Sequence, residues 1–367
     1  MINMIKKRFV FLLLSVLIFS CSTTKQTPSS ATKNRRGIQT EKKYVARTVA
    51  FYNLENLFDT IDDPKKRDED FTPNGRDNWT SKKYYKKLHN LAKVLADIGR
   101  KETNMSPAII GVAEVENRGV LEDLIKTGDL KGQNYEIIHF DSPDRRGIDV
   151  GLLYKRKIFQ PISFKKYPLL IYDNSNGKRI YTRDQLLVTG TLEGELIHII
   201  VDHWPSRRGG EARSLPKRVK AAELTQKIID SIYKEEPKAK IVIMGDLNDD
   251  PKSPSVKNVL HAVAKKADAT RGKLYNTMEH FYNRGIGTLA YRDSWNLFDQ
   301  IFVTPSLLRT PDNRLHFWKS GIYNREFMKN RSGRYKGYPK RTLVGGQFIG
   351  GYSDHFPTYI ILIKSIE

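Results

Sequence analysis

The most constraining feature of this sequence is the stretch Lys240–Pro251, which reads KIVIMGDLNDDP. Residues 241–244 form a continuous apolar run, which is typical of a strand covered on both faces. Asp246 and Asn248 follow, and side chains two residues apart on an extended chain point to the same side. Because ligands of open α/β sheets bind beyond the carboxyl ends of strands, this stretch predicts a site for a water molecule, a phosphate oxygen or a hard cation. The alternative is an Asx-rich turn that only closes the strand.

Polar side chains also follow three other apolar runs, at 45–51, 108–113 and 196–201. Each run predicts a strand, and the residues at or just beyond the three carboxyl ends are Asn53, Glu114 and His203. Glu116 lies two residues beyond Glu114, so strand alternation puts both acids on one face and leaves the choice between them open. The alternative interpretations are a turn cap for the asparagine, a solvated loop acid for the glutamate and a structural role for the histidine.

An aspartate and a histidine near the C-terminus form a predicted pair. Asp299 lies in the apolar run 296–303, and a buried aspartate needs a partner. Asp354 and His355 follow a glycine pair and precede a last predicted strand at 358–363. An acid next to a histidine in such a loop is suited to acid–base or metal chemistry. We expect His355 to pair with Asp299, which would fix its tautomer and favour its charged form.

The charge balance predicts anionic partners. Lysine and arginine number 63 against 41 acidic residues, which gives a net charge of +22. Such an excess favours nucleic acid, phosphorylated ligands or an anionic membrane surface, although a basic proteome is the alternative explanation. Two arginine pairs in predicted loops are candidate substrate-binding residues: Arg145, Arg146, Arg207 and Arg208. The segment 324–341 interleaves basic residues with tyrosines, which suits nucleic-acid contact or a solvated loop.

The N-terminal residues predict export. Three basic residues at 6–8 precede an apolar core at 9–19, which is too short to span a bilayer but typical of a signal peptide. The following residues resemble the lipobox of bacterial lipoproteins, in which the cysteine, here Cys21, becomes the lipidated first residue of the mature protein. The alternative is an ordinary cleaved signal peptide. We expect a signal peptide at 1–20, a flexible tether at 21–43 and one domain at 44–367. The protein would be an exported lipoprotein of the bacterial envelope. Its anchor at Cys21 would attach it to a membrane, and the domain would face the periplasm or the cell surface.

Apolar spacing predicts helices at 79–99, 120–127 and 219–234, and a further helix at 253–267. On the first of these, four lysines are expected to form a solvated outer face: Lys82, Lys83, Lys86 and Lys87.

Taken in chain order, these motifs resemble those of the endonuclease/exonuclease/phosphatase superfamily. The motifs are Asn53 in YNLEN, Glu114 in GVAEVEN, His203 in VDHWPSR, Asp246 and Asn248 in GDLND, Asp299 in DQIFV, and Asp354 with His355 in YSDHFP. The resemblance covers roughly residues 45–365. It implies an α/β fold, a four-layer α/β sandwich in which two mixed β-sheets lie face to face and are flanked by helices.

The resemblance also implies hydrolysis of a phosphoester by in-line attack of water, dependent on Mg²⁺ or Mn²⁺. It makes Glu114 the main metal ligand, with Asn53 close by and Asp354 on the metal side of the site. A site rich in oxygen donors and free of thiols fits Mg²⁺ better than Zn²⁺.

The remaining motif residues receive catalytic roles from the same resemblance. Asp246 would orient or deprotonate the attacking water, and Asn248 would hydrogen-bond that water or a phosphate oxygen. His355, paired with Asp299, would stabilise negative charge on the phosphate. His203 matches the histidine that the deoxyribonuclease and sphingomyelinase branches place near the leaving group.

We expect a monomeric, exported endonuclease that acts on nucleic acid, because the arginine pairs and the basic segment suit a polyanion. One alternative is a sphingomyelinase-like enzyme or another small phosphoester hydrolase. A less favoured alternative is a lipoprotein that binds polyanions without catalysis, which would have no need for the acid, amide and histidine set. Whether Glu116 or Asp149 joins the site stays open at this stage.

Overall fold

The computed structural model describes residues 42–173 and 175–366. The predicted signal peptide, Cys21 and all but the last two residues of the predicted tether lie outside the described residues, so those interpretations stay predictions. Within the described ranges, no helix is both long enough and apolar enough to cross a membrane.

Two large mixed sheets form the centre of the domain. Their strands are, in chain order, β1 (Lys43–Leu57), β2 (Ile109–Val115), β3 (Tyr135–His139), β4 (Asp149–Lys155), β5 (Phe159–Tyr167), β6 (Gln185–Leu192), β7 (Glu195–His203), β8 (Ile241–Asp246), β9 (Ala262–Val263), β10 (Leu274–Asn276), β11 (Asp299–Val303), β12 (His316–Ile322) and β13 (Thr358–Ile366). The first sheet has the order β12-β13-β1-β2-β4-β3, and the second has the order β9-β10-β11-β8-β7-β6-β5.

The two sheets share one arrangement at their centres. In the first sheet β1 runs parallel to β2, and each is flanked on its other side by an antiparallel strand. In the second sheet β7 runs parallel to β8, again with antiparallel neighbours on both sides. Each sheet therefore brings the carboxyl ends of two parallel strands and the starts of their two antiparallel neighbours to one edge.

Five α-helices are described, and the longer ones cover the outer faces of the sheets. They are α1 (Ser81–Asp97), α2 (Arg100–Thr103), α3 (Arg118–Ile125), α4 (Glu211–Glu235) and α5 (Glu279–Tyr282). Short 3-10 turns lie at Glu69–Phe71, Gly128–Leu130, Lys266–Asp268, Pro305–Leu307 and Glu326–Met328. Small two-stranded ribbons pair Ile171–Tyr172 with Arg179–Ile180, Leu289–Tyr291 with Ser294–Asn296, and Leu343–Val344 with Gln347–Phe348.

Strand alternation divides the apolar residues among three clusters. On β1, Phe51 points into the cluster between the sheets, whereas Tyr52 packs outward against helices α1 and α3. On β8, Met244 points inward and Ile243 packs outward against α4. Burial of each such side chain contributes about 1.5–3 kcal/mol. The order helix, sheet, sheet, helix confirms the predicted four-layer sandwich.

Three local predictions differ from the structure. The predicted helix at 253–267 is wrong, because only one π-helical turn at Ser255–Val259 forms there before β9 begins. Helix α4 begins at Glu211, before the predicted start at 219, because its first two turns are polar and carry no apolar periodicity. Lys87 does not lie on a solvated face: it is 1% exposed and points beneath the edge of the first sheet.

Candidate active site

The predicted site residues meet at the edge where the central strands end. Strand β13 runs antiparallel to β1, and β11 runs antiparallel to β8, so the start of each lies beside the end of its partner. Alternation from the inward residues of β1, β7, β8 and β11 turns one polar residue of each strand toward the space between the sheets: Asn53, His203, Asp246 and Asp299.

A hydrogen bond joins the two sheets at this edge. Nδ2 of Asn53 donates to Oδ2 of Asp246 at 3.0 Å, and Oδ1 of the same amide accepts from the backbone N–H of Glu55 at 2.9 Å. The other oxygen of Asp246 accepts from the backbone N–H of Asn248 at 2.9 Å. Asp246 is therefore fixed at both oxygens.

Gly245 allows the close approach of β8 to β7, because a Cβ there would lie 2.3 Å from the carbonyl oxygen of Asp202.

A β-bulge places Glu114 and Glu116 in different environments, although strand alternation predicted the same face for both. The register of β2 against β1 and β4 shifts at its carboxyl end, and Glu114 adopts a left-handed φ of 59°. Oε2 of Glu114 accepts from the backbone N–H of Asn56 at 2.9 Å, and Oε1 lies 3.9 Å from Nε2 of His203. Glu116 instead accepts from the backbone N–H of Asp59 at 2.7 Å, and burial raises its pKa to about 8. Glu114 lies in the site and Glu116 lies behind it.

His355 and Asp299 form the predicted pair. Nδ1 of His355 lies 2.6 Å from Oδ2 of Asp299, so Nε2 is the nitrogen that faces the site, 3.9 Å from Oδ2 of Asp246. Burial disfavours the charged imidazole, but Asp299, Asp354 and Asp246 outweigh that effect and hold the pKa of His355 well above its usual range. The residue is therefore an imidazolium with an N–H directed into the site.

His203 is the opposite case. Its Nε2 lies 3.7 Å from Oδ2 of Asp246, and its buried Nδ1 has no hydrogen-bond partner among the described residues. Burial, together with the positive charges of Arg183, Arg146 and His355, holds the pKa of His203 well below its usual range. The site therefore contains one charged and one neutral imidazole.

Asp246 lies between the two imidazoles. Burial raises its pKa to about 7, which His355 opposes and Asp299 reinforces. Asn248 follows with a left-handed φ of 50°, and its Nδ2 donates to the carbonyl oxygen of Trp204 at 3.1 Å. That conformation joins the end of β8 to the loop after β7 and turns the asparagine out of the strand.

Three residues at the rim of the site form a network that the sequence did not indicate. Nε of Arg341 donates to Oε1 of Glu55 at 2.9 Å, and Nη2 lies 2.9 Å from Oδ2 of Asp354. Burial tends to raise the pKa of Asp354, but Arg341 outweighs it and the pKa is lowered. Beneath them, Nζ of Lys87 donates to the carbonyl oxygen of Glu55 and to Oγ1 of Thr342. Asp354 is thereby held as a carboxylate next to His355.

The predicted substrate-binding arginines lie in different settings. Nε of Arg207 donates to the carbonyl oxygen of Asn248 at 2.9 Å, and its guanidinium lies 4.5 Å from the ring centre of Phe298, so this side chain is engaged within the protein. Arg208 is exposed and has no acid within ion-pair distance among the described residues. On the other side of the site, exposed Arg145 lies over a tyrosine ring and exposed Arg146 lies close enough to His203 to lower its pKa.

Arg183 is a buried cation that the sequence analysis missed. It is 4% exposed, donates to Oδ2 of Asp144 at 3.3 Å and to the carbonyl oxygen of Trp204, and lies close to His203. A signal was available in the segment YTRDQLL, where Arg183 and Asp184 lie directly before a predicted strand that is largely apolar. Asp149 does not join the site, because its carboxylate accepts from His139 and from the backbone N–H of Ser142.

The donor set fits a hard cation. Oε1 of Glu114 accepts no hydrogen bond from any described residue, and the side chain is 17% exposed where Asp246 is only 3% exposed. Oδ1 of Asn53 keeps one lone pair after accepting from Glu55, and Oδ1 of Asp354 faces the site 3.9 Å from His355. Three oxygen donors without a thiol are the chemistry that Mg²⁺ and Mn²⁺ accept.

Comparisons with known proteins identify the family and the fold. The sequence matches the model of the Endonuclease/Exonuclease/phosphatase family over residues 48–364, whereas no protein with a curated description matches it significantly. The fold is similar to that of an endonuclease/exonuclease/phosphatase family protein from Bacteroides thetaiotaomicron, with 15% identity, a TM-score of 0.52, and coverage of 89% of this chain and 100% of that chain. It is also similar to D. rerio TDP2 complexed with a single-strand DNA product, with 14% identity, a TM-score of 0.50, and coverage of 86% of this chain and 98% of that chain. At these identities the structural likeness shows the fold alone, but the family match spans most of the sequence, and the chain therefore belongs to the Endonuclease/Exonuclease/phosphatase family of metal-dependent phosphoesterases.

Proposed function

We propose that this protein is an exported phosphodiesterase that hydrolyses nucleic acid by in-line attack of water, with Mg²⁺ or Mn²⁺ as cofactor. The observation that supports it most strongly is the convergence on Asp246. One of its oxygens accepts from Asn53 at 3.0 Å, and Nε2 atoms of His203 and His355 lie 3.7 Å and 3.9 Å from that same oxygen. A fixed carboxylate between one charged and one neutral imidazole is suited to moving a proton while negative charge develops on a phosphate.

Each residue has a role that follows from its position. Asp246 orients the attacking water and accepts its proton as the new P–O bond forms. The Nε2–H of His355 donates to a non-bridging phosphate oxygen and stabilises its growing negative charge. His203 hydrogen-bonds the leaving-group oxygen as the old P–O bond breaks, and the leaving alkoxide takes a proton from solvent. The products are a phosphate monoester and an alcohol.

Glu114, Asn53 and Asp354 would hold the cation. When bound, it supplies a Lewis acid that polarises the phosphate and a template that aligns the substrate.

The test is hydrolysis of a substrate panel by the purified protein in Mg²⁺, with EDTA as a control. The panel contains a single-stranded oligonucleotide, a DNA duplex, bis-p-nitrophenyl phosphate and sphingomyelin. We expect hydrolysis of the nucleic acid and the small diester, and loss of both in Asp246→Asn and His355→Gln. Retention of oligonucleotide binding by Asp246→Asn would separate catalysis from binding, and an inactive native protein that still binds nucleic acid would favour the non-catalytic alternative.

A second candidate function is hydrolysis of a lipid phosphodiester. The specific observation that favours it is a set of exposed apolar side chains on and after edge strand β5: Ile162, Phe164, Leu170 and Tyr172. Exposed apolar side chains of this kind suit contact with a lipid surface. Turnover of sphingomyelin without turnover of nucleic acid would support this function over the nuclease.

Export and membrane attachment are part of the same proposal, and the sequence of residues 1–21 supports them. We expect the native protein to fractionate with membranes in a bacterial host and Cys21→Ser to be released into the soluble exported fraction. A native protein found in the soluble exported fraction would replace the lipid anchor with an ordinary cleaved signal peptide.

A further inference from the structure

A groove beside the candidate site has a lining that the catalytic residues do not explain. It has a volume of about 1330 Å³ and begins at Arg341 and Asp354. Three segments form its walls: the loop 206–211, the ribbon 289–296 and the segment 330–339. We call it the tyrosine groove, after the three tyrosines that line it, Tyr291, Tyr335 and Tyr338.

Aromatic rings form a continuous row from the open end of the tyrosine groove to the catalytic histidine. The ring centres of Tyr335 and Tyr338 are 5.6 Å apart, and those of Tyr338 and Trp295 are 5.5 Å apart. Trp295 in turn stacks on Phe356, at 6.2 Å with an interplanar angle of 17°, and Phe356 directly follows His355. Phe356 is 1% exposed, so the inner end of the row is buried and serves to anchor the outer rings beside the site.

The outer tyrosines are exposed although they are large and apolar. Tyr291 is 62% exposed and Tyr335 is 53% exposed. Neighbouring side chains connect the segments that carry them: Oδ2 of Asp293 accepts from Arg334 at 3.0 Å, and Oδ1 of Asp293 lies 3.1 Å from the hydroxyl of Tyr338. These bonds tie the ribbon 289–296 to the segment 330–339. A guanidinium lies over one face of each ring, Arg292 at 5.2 Å from the ring centre of Tyr291 and Arg334 at 5.8 Å from that of Tyr335. The other face of each exposed ring is suited to stacking against another ring system.

The charge of the tyrosine groove favours an anionic ligand. Five arginines line it against three acids. Each acid pairs with one of those arginines: Asp293 with Arg334, Glu211 with Arg207, and Asp354 with Arg341. Two arginines, Arg208 and Arg292, have no acid within ion-pair distance among residues 42–173 and 175–366. These two cations are available for phosphates.

We propose that the tyrosine groove binds single-stranded nucleic acid, with bases stacked on Tyr291 and Tyr335 and phosphates along Arg208 and Arg292. Stacking on a tyrosine requires a base with a free face, which the interior of a duplex lacks because neighbouring base pairs cover both faces of each base. The groove thus selects single strands, ends or loops over an intact duplex. This inference rests on the proposed phosphodiesterase function and adds the substrate class.

The test is binding of a fluorescein-labelled thymidine 15-mer, measured by fluorescence anisotropy in EDTA so that no cleavage occurs. We expect the strand to bind at least about tenfold more tightly than the matching duplex, and Tyr335→Ala and Tyr291→Ala each to weaken binding by about tenfold. Tyr335→Phe should bind like the native protein, because the ring remains. The control is Tyr85→Ala, since Tyr85 is 50% exposed and leans on Tyr84 much as Tyr335 leans on Tyr338.

Turnover of bis-p-nitrophenyl phosphate distinguishes a failure of the tyrosine-groove assignment from a failure of the proposed phosphodiesterase function. We expect it to be unchanged in the tyrosine variants, because this substrate is too short to reach the outer rings. Native turnover of this diester with equal binding of strand and duplex, or with no effect of either alanine variant, would overturn the groove assignment alone. Absence of diester turnover in the native protein would instead overturn the proposed function. Thermal unfolding of each variant shows whether a loss of binding reflects a loss of folding, and Tyr291→Ala tests a separate segment from Tyr335→Ala.

Discussion

Nδ1 of His355 lies 2.6 Å from Oδ2 of Asp299, and this bond decides which nitrogen of the imidazole faces the candidate active site. Asp299 begins β11 in the second sheet, whereas His355 precedes β13 in the first. The pair therefore fixes the tautomer and also links the two sheets.

Replacing Asp299 with asparagine removes the charge that stabilises the imidazolium. We expect Asp299→Asn to lower kcat on bis-p-nitrophenyl phosphate by about 10²- to 10⁴-fold with little change in KM. The pKa of His355 should fall, because Asp299 is the main group that raises it. NMR titration of the histidine side chains in the metal-free protein measures this directly, and an unchanged His355 pKa would contradict the assigned pairing.

The β-bulge at the end of β2 predicts different effects for two neighbouring acids. Glu114→Gln should raise the Mg²⁺ concentration for half-maximal activity by about tenfold or more, because a cation ligand loses its charge. Glu116→Gln is the matched control and should stay close to the native value, since Glu116 bonds to Asp59 outside the site. Calorimetric Mg²⁺ titration gives the same comparison without turnover. Equal losses in both variants would be incompatible with the bulge.

Two adjacent arginines are expected to separate kcat from KM. Arg207→Ala removes the donor to the carbonyl oxygen of Asn248, so we expect a lower kcat, by about tenfold or more, and a lower Tm. Arg208→Ala removes an exposed cation, so we expect a higher KM for oligonucleotides and an unchanged Tm. Steady-state kinetics at two salt concentrations, together with thermal unfolding, checks both. The reverse assignment of effects would mean that Arg207 binds substrate directly.

Lys87 is predicted to be a stability residue beneath the site. Lys87→Met removes the donor from two buried acceptors, the carbonyl oxygen of Glu55 and Oγ1 of Thr342, and should reduce the free energy of unfolding by about 2–4 kcal/mol. Lys86→Met is the matched control, because Lys86 is adjacent to Lys87 in sequence but its side chain is exposed. Urea unfolding measures both. A loss below 1 kcal/mol for Lys87→Met would show that the buried amine is not a required donor.

A buried ion cluster at the opposite edge of the sandwich gives a pH-dependent prediction. Burial alone would raise the pKa of Glu195, but hydrogen bonds and charges from Lys240, Leu315 and Lys364 outweigh it and lower the pKa to about 2. Because the folded pKa lies below the unfolded value of 4.5, this stabilisation is complete above about pH 4.5 and is lost as the pH falls toward 2.

Glu195→Gln tests that prediction. The free energy of unfolding should fall by at most about 3 kcal/mol at pH 7, from 1.36 kcal/mol per pKa unit, and the difference from native should shrink below pH 4.5. Glu193→Gln is the control, since Glu193 pairs with Arg47 at a partly exposed turn and should cost under about 1 kcal/mol. A difference that stayed constant from pH 7 to pH 3 would rule out this titration.

The sequence was most informative where a strand ends. Apolar runs located β1, β2, β7 and β8, and the polar residues Asn53, Glu114, His203 and Asp246 at their carboxyl ends were identified as site candidates, because both features are local. The bulge at Glu114 was not predictable, because it depends on pairing with two neighbouring strands at once. Lys87 was assigned to the wrong environment because helical spacing gives the outer face of a helix but not the loop at 342 that covers it. Arg207 likewise resembles a free cation in sequence and is engaged only through contacts formed by the fold.

The placement of β1 has a consequence for the time at which the protein becomes active. This first strand of the domain lies between β2 and β13, the last strand, and the carbonyl oxygen of Asn53 accepts from Ser353, 300 residues later. Contacts of such separation form only after the loop between them has closed. A chain that has not yet been synthesised as far as residue 355 therefore leaves β1 unpaired on the side of β13, and it lacks His355. The proposed hydrolytic activity is thus withheld from every copy that ends before residue 355.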